Sequence, residues 1–214
     1  MDYADPLGGA SREDVMKSLF AELSYCAAFV LVAASVTSAQ DQLPPHHWSR
    51  GTTLAATGGV ATASDDAGGA LGATIGWEIT PQIGIEGTGM WIDREPGASA
   101  FSGSLNVRAA LTRTAPLSPF VEGGFGMYLA KFDPNQVTNI PPFYGDRMAD
   151  LGTSTFTDPA LFASAGLEIF RTPHFTLRPA IGAVFVMDGG RSYTVTTFTV
   201  QASYHFAKHP LAPR

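Results

Sequence analysis

From Thr52 to Phe206 apolar and polar residues alternate with period two, and nothing in that stretch reads as a helix. Clusters of Gly, Pro, Asp and Asn cut the alternation into eight segments, at approximately 52–64, 69–79, 83–93, 100–112, 119–132, 160–171, 175–188 and 193–206. Ordinary strands run to about 5–6 residues. Several of these are twice that, the length of a tilted strand that crosses a bilayer, about 9–11 residues plus overhang. In the last segment Phe198, Val200, Ala202, Tyr204 and Phe206 share one face, and Thr197, Thr199, Gln201, Ser203 and His205 share the other. The second sets Leu71, Ala73, Ile75, Trp77 and Ile79 against Gly72, Thr74, Gly76 and Glu78. The seventh sets Leu177, Ile181, Ala183 and Phe185 against Arg178, Ala180 and Gly182.

A soluble barrel would turn the apolar side inward and its charges outward. Here the apolar faces are continuous, whereas the polar faces are Gly, Ala, Ser and Thr with single charges. Small residues suit the narrow lumen of eight strands and would make a poor water-facing surface. The expected fold is therefore all-β, an eight-stranded antiparallel up-and-down transmembrane barrel over residues 52–206. Strand 83–93 supports this least, because Gly87 and Gly89 thin its lipid face while Met90 points inward. The connections alternate as well. Thr80 to Gln82, Arg113 to Ser118 and Thr172 to His174 are short and contain Pro. Between them fall Ser64 to Gly68, Arg94 to Ser99, Asp133 to Pro159 and Gly189-Gly190. Short turns at one end and longer loops at the other match periplasmic turns and external loops. An even strand number returns both termini to the periplasmic side.

Charges within the strands are sparse and ordered. Glu78, Glu86, Arg108, Glu122, Glu168 and Arg178 lie one per strand on strands two to seven, each on the polar face and near a short turn. They are expected at one level of the lumen, where an unpaired charge costs several kcal/mol and the two arginines can each bridge more than one carboxylate. Four Glu against two Arg leave the set acidic, with His205, Lys131 or water to complete it. Such a set plugs the barrel or gates an ion path. Trp77, Trp91, Tyr128, Phe132, Phe170, Tyr204 and Phe206 cluster near strand ends, where outward aromatics form interfacial girdles.

Ahead of the barrel, Ala27 to Val36 is an apolar run too short to span a bilayer as a helix but suited to a signal peptide. Lys17 precedes it and Thr37-Ser38-Ala39 offers a cleavage site, giving a signal peptide over 1–39. The acidic stretch before Met16 suggests that 1–15 is an over-extended start. Residues 40–51 would be a periplasmic segment and 207–214 a periplasmic tail. An amphipathic core helix over 14–36 is the other reading of this region. The composition agrees with an envelope protein. Charged residues are 15% of 214, well below the ~25% of soluble domains, with a net charge of -6. The acidic balance without a basic cluster excludes nucleic acid as a partner. The single cysteine, Cys26, excludes an intrachain disulfide.

With the signal-like Lys17 to Ala39, eight alternating segments and the closing strand YTVTTFTVQASYHF (Tyr193 to Phe206), the chain resembles the small outer-membrane β-barrel proteins. That group includes the outer-membrane-protein-A barrel and its eight-stranded relatives. The resemblance implies residence in the outer membrane of a Gram-negative cell, contact with its lipid, and delivery by the barrel-assembly machinery. In that family the closing strand is the assembly signal, here carried by Tyr204 and Phe206. The family usually ends on that aromatic, whereas Ala207 to Arg214 follow here.

No catalytic pattern stands out, and neither a metal nor a cofactor is expected. Ser203 and His205 share a face, but Cβ atoms two residues apart on a strand are ~6.5–7 Å apart. His46-His47 lack a nearby acid, His209 lies in the tail, and no HExxH, GxSxG or phosphate-loop motif occurs. Gly123, Gly124 and Gly126 read as barrel glycines that let side chains from opposite walls fit. The long loop 133–159 is the natural place for an external contact, through Phe143, Tyr144, Asp146 and Arg147 between prolines. The function expected is structural or surface-interacting and not enzymatic. A narrow porin-like channel, a lipid-modifying enzyme and a soluble calycin-like ligand-binding barrel are its alternatives.

Overall fold

As a computed structural model, the chain is described over residues 51–207, apart from 64–65, 81, 112–116, 173 and 189–190. The proposed signal segment with Cys26, the pair His46-His47 and the tail with His209 lie outside the described residues. The strands are β1 (Gly51–Ala63), β2 (Asp66–Glu78), β3 (Ile83–Glu95), β4 (Ala98–Ala110), β5 (Leu117–Phe132), β6 (Thr155–Thr172), β7 (Phe175–Asp188) and β8 (Arg191–Ala207). Each pairs antiparallel with the next, and β8 closes on β1, where Gly51 lies opposite Ala207. Closure leaves no strand edge, the condition for a sheet to sit in lipid.

The faces divide as the alternation requires. Leu71 is 70% exposed and Phe125 64%, and Leu105, Val107, Leu161 and Val200 continue the same outer belt. Trp77, Trp91, Tyr204 and Phe206 also face outward. Tyr128 and Phe132 do not: they are buried in the lumen, because they share the parity of Glu122 on β5. Met90 points inward as expected. The thin lipid face of β3 is covered by its neighbours. The Phe101 ring on β4 lies over Gly89, and Ile75 on β2 lies over Gly87.

Two expectations are corrected. The strands run further at the end away from the termini than the turn-forming residues suggest. Asp66 to Gly68, Arg94-Glu95 and Thr155 to Pro159 are strand, since polar and Gly residues pair readily at a barrel rim. Pro159 reads as a strand breaker, yet it sits opposite Met127 within the β5–β6 ladder. Of the four connections at that end three are two residues long, and only 133–154 is long. At the β3–β4 turn Pro96 precedes Gly97 (φ 86°), the residue order of a type II turn. Second, the long connection contains a helix, α1 (Pro142–Leu151), where none was expected. It starts with Pro at its first turn and stops at Gly152 in the left-handed conformation (φ 62°).

The barrel glycines also act differently from expectation. A Cβ on Gly124 would overlap the carbonyl of Leu105, and one on Gly126 the carbonyl of Gly103. They permit close approach of β4 and β5, not of opposite walls. Gly126→Ala is expected to cost about 1–3 kcal/mol by forcing the two strands apart, read as a lower urea midpoint for unfolding from vesicles.

Candidate functional site

The lumen is filled in three layers. At the end that carries the termini, Arg108 (β4) is fully buried among three carboxylates. Its Nε donates to Glu86 Oε1 at 2.8 Å, its Nη1 to Glu168 Oε1 at 2.5 Å, and its Nη2 to Glu78 Oε1. Arg178 (β7) donates from Nη1 to Glu86 Oε1 at 2.7 Å and to Gln201 Oε1 at 2.9 Å. Its Nε and Nη2 lie 3.2 Å from Glu168 and 3.9 Å from Glu78. The alternation puts all five side chains inside, and Gly84, paired with Arg108 across β3–β4, leaves room for the guanidinium. Each arginine thus faces the same three acids, a dense charged plug in a space with little solvent.

Of the six charged residues expected together, five meet. Glu122 does not join them, although the β4–β5 register sets its Cα opposite Arg108. Its carboxylate accepts a hydrogen bond from Ser164 Oγ at 3.3 Å, and no ion pair reaches it among the described residues. Neither Lys131 nor His205 completes the set. Lys131 is exposed on the outer wall, one position out of phase with Ala130 and Phe132. His205 Nε2 lies 3.0 Å from Thr176 Oγ1, while Ser203 Oγ donates to Gln201 Oε1 at 3.5 Å. Ser203 and His205 therefore engage different partners.

Above the plug is a cavity of about 100 Å³, lined on one part by Thr74, Thr88, Ser102, Asn106, Glu122, Arg178 and Gln201 and on another by Met90, Phe120, Phe162 and Val184. Gln201 Nε2 donates to Thr74 Oγ1 at 2.9 Å, and Thr74 and Thr88 share a hydrogen bond of 3.0 Å.

The third layer is an aromatic cap at the far mouth. Tyr144 of α1 is fully buried, its ring 5.1 Å from Phe132, 5.3 Å from Phe156 and 5.4 Å from Tyr193. Phe143 stacks on Tyr193 at 5.7 Å. Burial pushes the Tyr144 phenol far above its ordinary range, so it stays neutral. Arg147 pins the helix down. Its two Nη atoms donate to both oxygens of Asp158 at 2.9 Å, its Nε lies 3.1 Å from Asp188, and its guanidinium stacks 4.7 Å from Phe156. The bond to Asp158 raises the Arg147 pKa further.

This corrects the expected contact surface. Phe143, Tyr144 and Arg147 face the barrel, because an amphipathic turn over an open apolar mouth buries its aromatics there. Of the four candidates only Asp146 is exposed, paired with Arg191 at 2.9 Å. The signals in the sequence were Pro142 and Gly152, ten residues apart and bracketing a helix. Arg147→Ala is expected to free α1 and speed protease cleavage within 133–154 at least several-fold, while the barrel keeps its heat-dependent gel mobility. Unchanged cleavage would show that the pin does not hold the cap.

Compared with known proteins, residues 26–206 match the family model described as the outer membrane protein beta-barrel domain. Among solved structures, Neisserial surface protein A is 11% identical with a TM-score of 0.55, over 72% of this chain and 96% of that one. The N-terminal barrel of Pseudomonas aeruginosa OprF is 14% identical with a TM-score of 0.47, covering 72% and 96%. The attachment invasion locus protein Ail of Yersinia pestis is 14% identical with a TM-score of 0.47, covering 77% and 100%. At such identities the likeness is one of fold. No curated protein matches the chain.

Proposed function

Because the chain belongs to the outer-membrane β-barrel domain family and is a protein of the Gram-negative outer membrane, we propose that it is a closed, non-enzymatic barrel with a structural or surface-interaction role. The observation that carries this reading is closure of the lumen twice over. The Arg108/Arg178 cluster fills one end, and Tyr144 and its aromatic neighbours fill the other. We assign the end with the termini to the periplasm and α1 to the cell surface. The outer face of α1, with Asp146, Asp150 and Leu151, then becomes the contact surface in place of the inward aromatics. Tyr204 and Phe206, exposed on closing strand β8, are the groups we assign to the assembly machinery.

The test is made on purified protein in planar bilayers and on intact cells. No discrete conductance steps are expected, external protease should cut within 142–151, and overexpression should leave lipid A unchanged. Discrete steps would replace this reading with the second one, a narrow channel, which the open space above the plug favours. Altered lipid A would replace it with an enzyme.

A further inference from the structure

We propose that the barrel mouth beneath α1 is an exchangeable docking site for a polypeptide segment that presents an aromatic ring and, three residues further on, an arginine. Here α1 fills that site as a ligand from within the chain. The inference deepens the surface-interaction reading and rests on it for access, since the segment must arrive at that mouth from outside.

The barrel supplies the site, and α1 occupies it. Phe132 on β5, Phe156 on β6 and Tyr193 on β8 form an aromatic cup around the Tyr144 ring. Beside the cup Asp158, its side chain only 4% exposed, accepts from both Nη atoms of Arg147, whose guanidinium also lies over the Phe156 ring. Tyr144 and Arg147 are three residues apart, so one turn of helix brings them to the same face. An empty mouth would wet the rings and leave the enclosed Asp158 carboxylate without its cation. The open state therefore calls for an occupant with the same two groups.

In this site α1 is a weakly held ligand. The Tyr144 hydroxyl is buried with no hydrogen-bond partner, which opposes docking because water serves it once the helix lifts. The helix has 10 residues including Gly145, no side-chain N-cap, no acid in its first turn and no base in its last. Its own turns do not keep it folded. The arm before it is fastened separately. Glu95 accepts from Thr138 Oγ1 at 2.9 Å and from the Asn139 N–H at 3.1 Å, so release involves 140–154 alone. Arg191, parted from Asp146, lies opposite Asp188 across the β7–β8 turn and takes that carboxylate, which leaves Asp158 for the incoming arginine. The tether raises the effective concentration of α1, so a successful competitor must fit better. A phenylalanine in place of Tyr144 does so, because it fills the cup without burying a hydroxyl.

The probe is a fluorescent peptide of residues 140–153 carrying Tyr144→Phe, added to purified Arg147→Ala protein, whose own α1 has lost its latch. Fluorescence anisotropy should show saturable binding, weaker to the wild type because its tethered α1 competes. The same peptide carrying Arg147→Gln should bind about tenfold more weakly. That gap should close when the protein also carries Asp158→Asn. In the whole chain, Tyr144→Phe should slow protease cleavage within 133–154. Heat-dependent gel mobility checks that each variant is folded. Equal binding of the arginine and glutamine peptides would overturn the proposal, as would no binding to the Arg147→Ala protein or faster cleavage in Tyr144→Phe. A wild-type dimer that Arg147→Ala dissociates would overturn it in favour of α1 from a second copy. None of these results bears on the closed lumen, which the conductance measurement judges separately.

Discussion

Arg108→Ala is expected to destabilise the barrel by about 3–5 kcal/mol, the cost of leaving buried charge without its partner. The size follows from the contacts. One guanidinium serves Glu78, Glu86 and Glu168 at once, and the residue is wholly out of solvent. Without it, Arg178 alone faces three carboxylates. The measurement is urea unfolding from lipid vesicles, supported by the temperature at which gel mobility shifts. Arg108→Lys should recover part of the loss, since an ammonium restores the charge but cannot direct a fork at three acceptors. A further comparison separates stranded charge from lost packing. Arg108→Met combined with Glu168→Gln should be less unstable than Arg108→Met alone, because the second change removes one stranded carboxylate. If stability stays at the wild-type value in Arg108→Ala, the plug contributes nothing net and the closed-lumen reading loses its periplasmic half.

What the sequence made legible is what local rules decide. Period-two alternation fixes which face every strand residue takes, so the apolar belt and five of the plug charges were readable from spacing alone. Parity would also have separated Tyr128 and Phe132 from the girdle aromatics, since both share the phase of Glu122 on β5. The helix was not legible in this way. Residues 142–151 carry Gly145 and no sustained apolar stripe, so local propensity does not demand a helix. Its stability comes from Tyr144 and Arg147 docking on the mouth, contacts that exist only once the barrel has closed. The separation of Glu122 from the plug was equally out of reach. Spacing puts it at the same level as Arg108, and only side-chain packing decides that the guanidinium turns to three other acids.

Ile75→Arg tests the other half of the architecture, the outward apolar belt. Ile75 is 59% exposed on β2, between Trp77 and the Leu71 that pairs with Trp91. The outward apolar run that begins on β2 extends from Leu71 to Ile79, which leaves Ile75 at its middle and hence near the middle of the hydrocarbon. Arginine on the lipid face at that depth is expected to cost about 2–4 kcal/mol, read as a lower urea midpoint in vesicles. Ile75 also packs over Gly87, so part of any loss is lost cover and not charge. Ile75→Ala measures that part and should cost less. Bilayer thickness then isolates the lipid term, because the penalty falls as the interface approaches. The difference between Ile75→Arg and Ile75→Ala should therefore shrink in thinner bilayers. A water-facing wall would make the same arginine nearly free at every thickness, so wild-type stability in Ile75→Arg would turn the barrel inside out and restore the soluble ligand-binding reading.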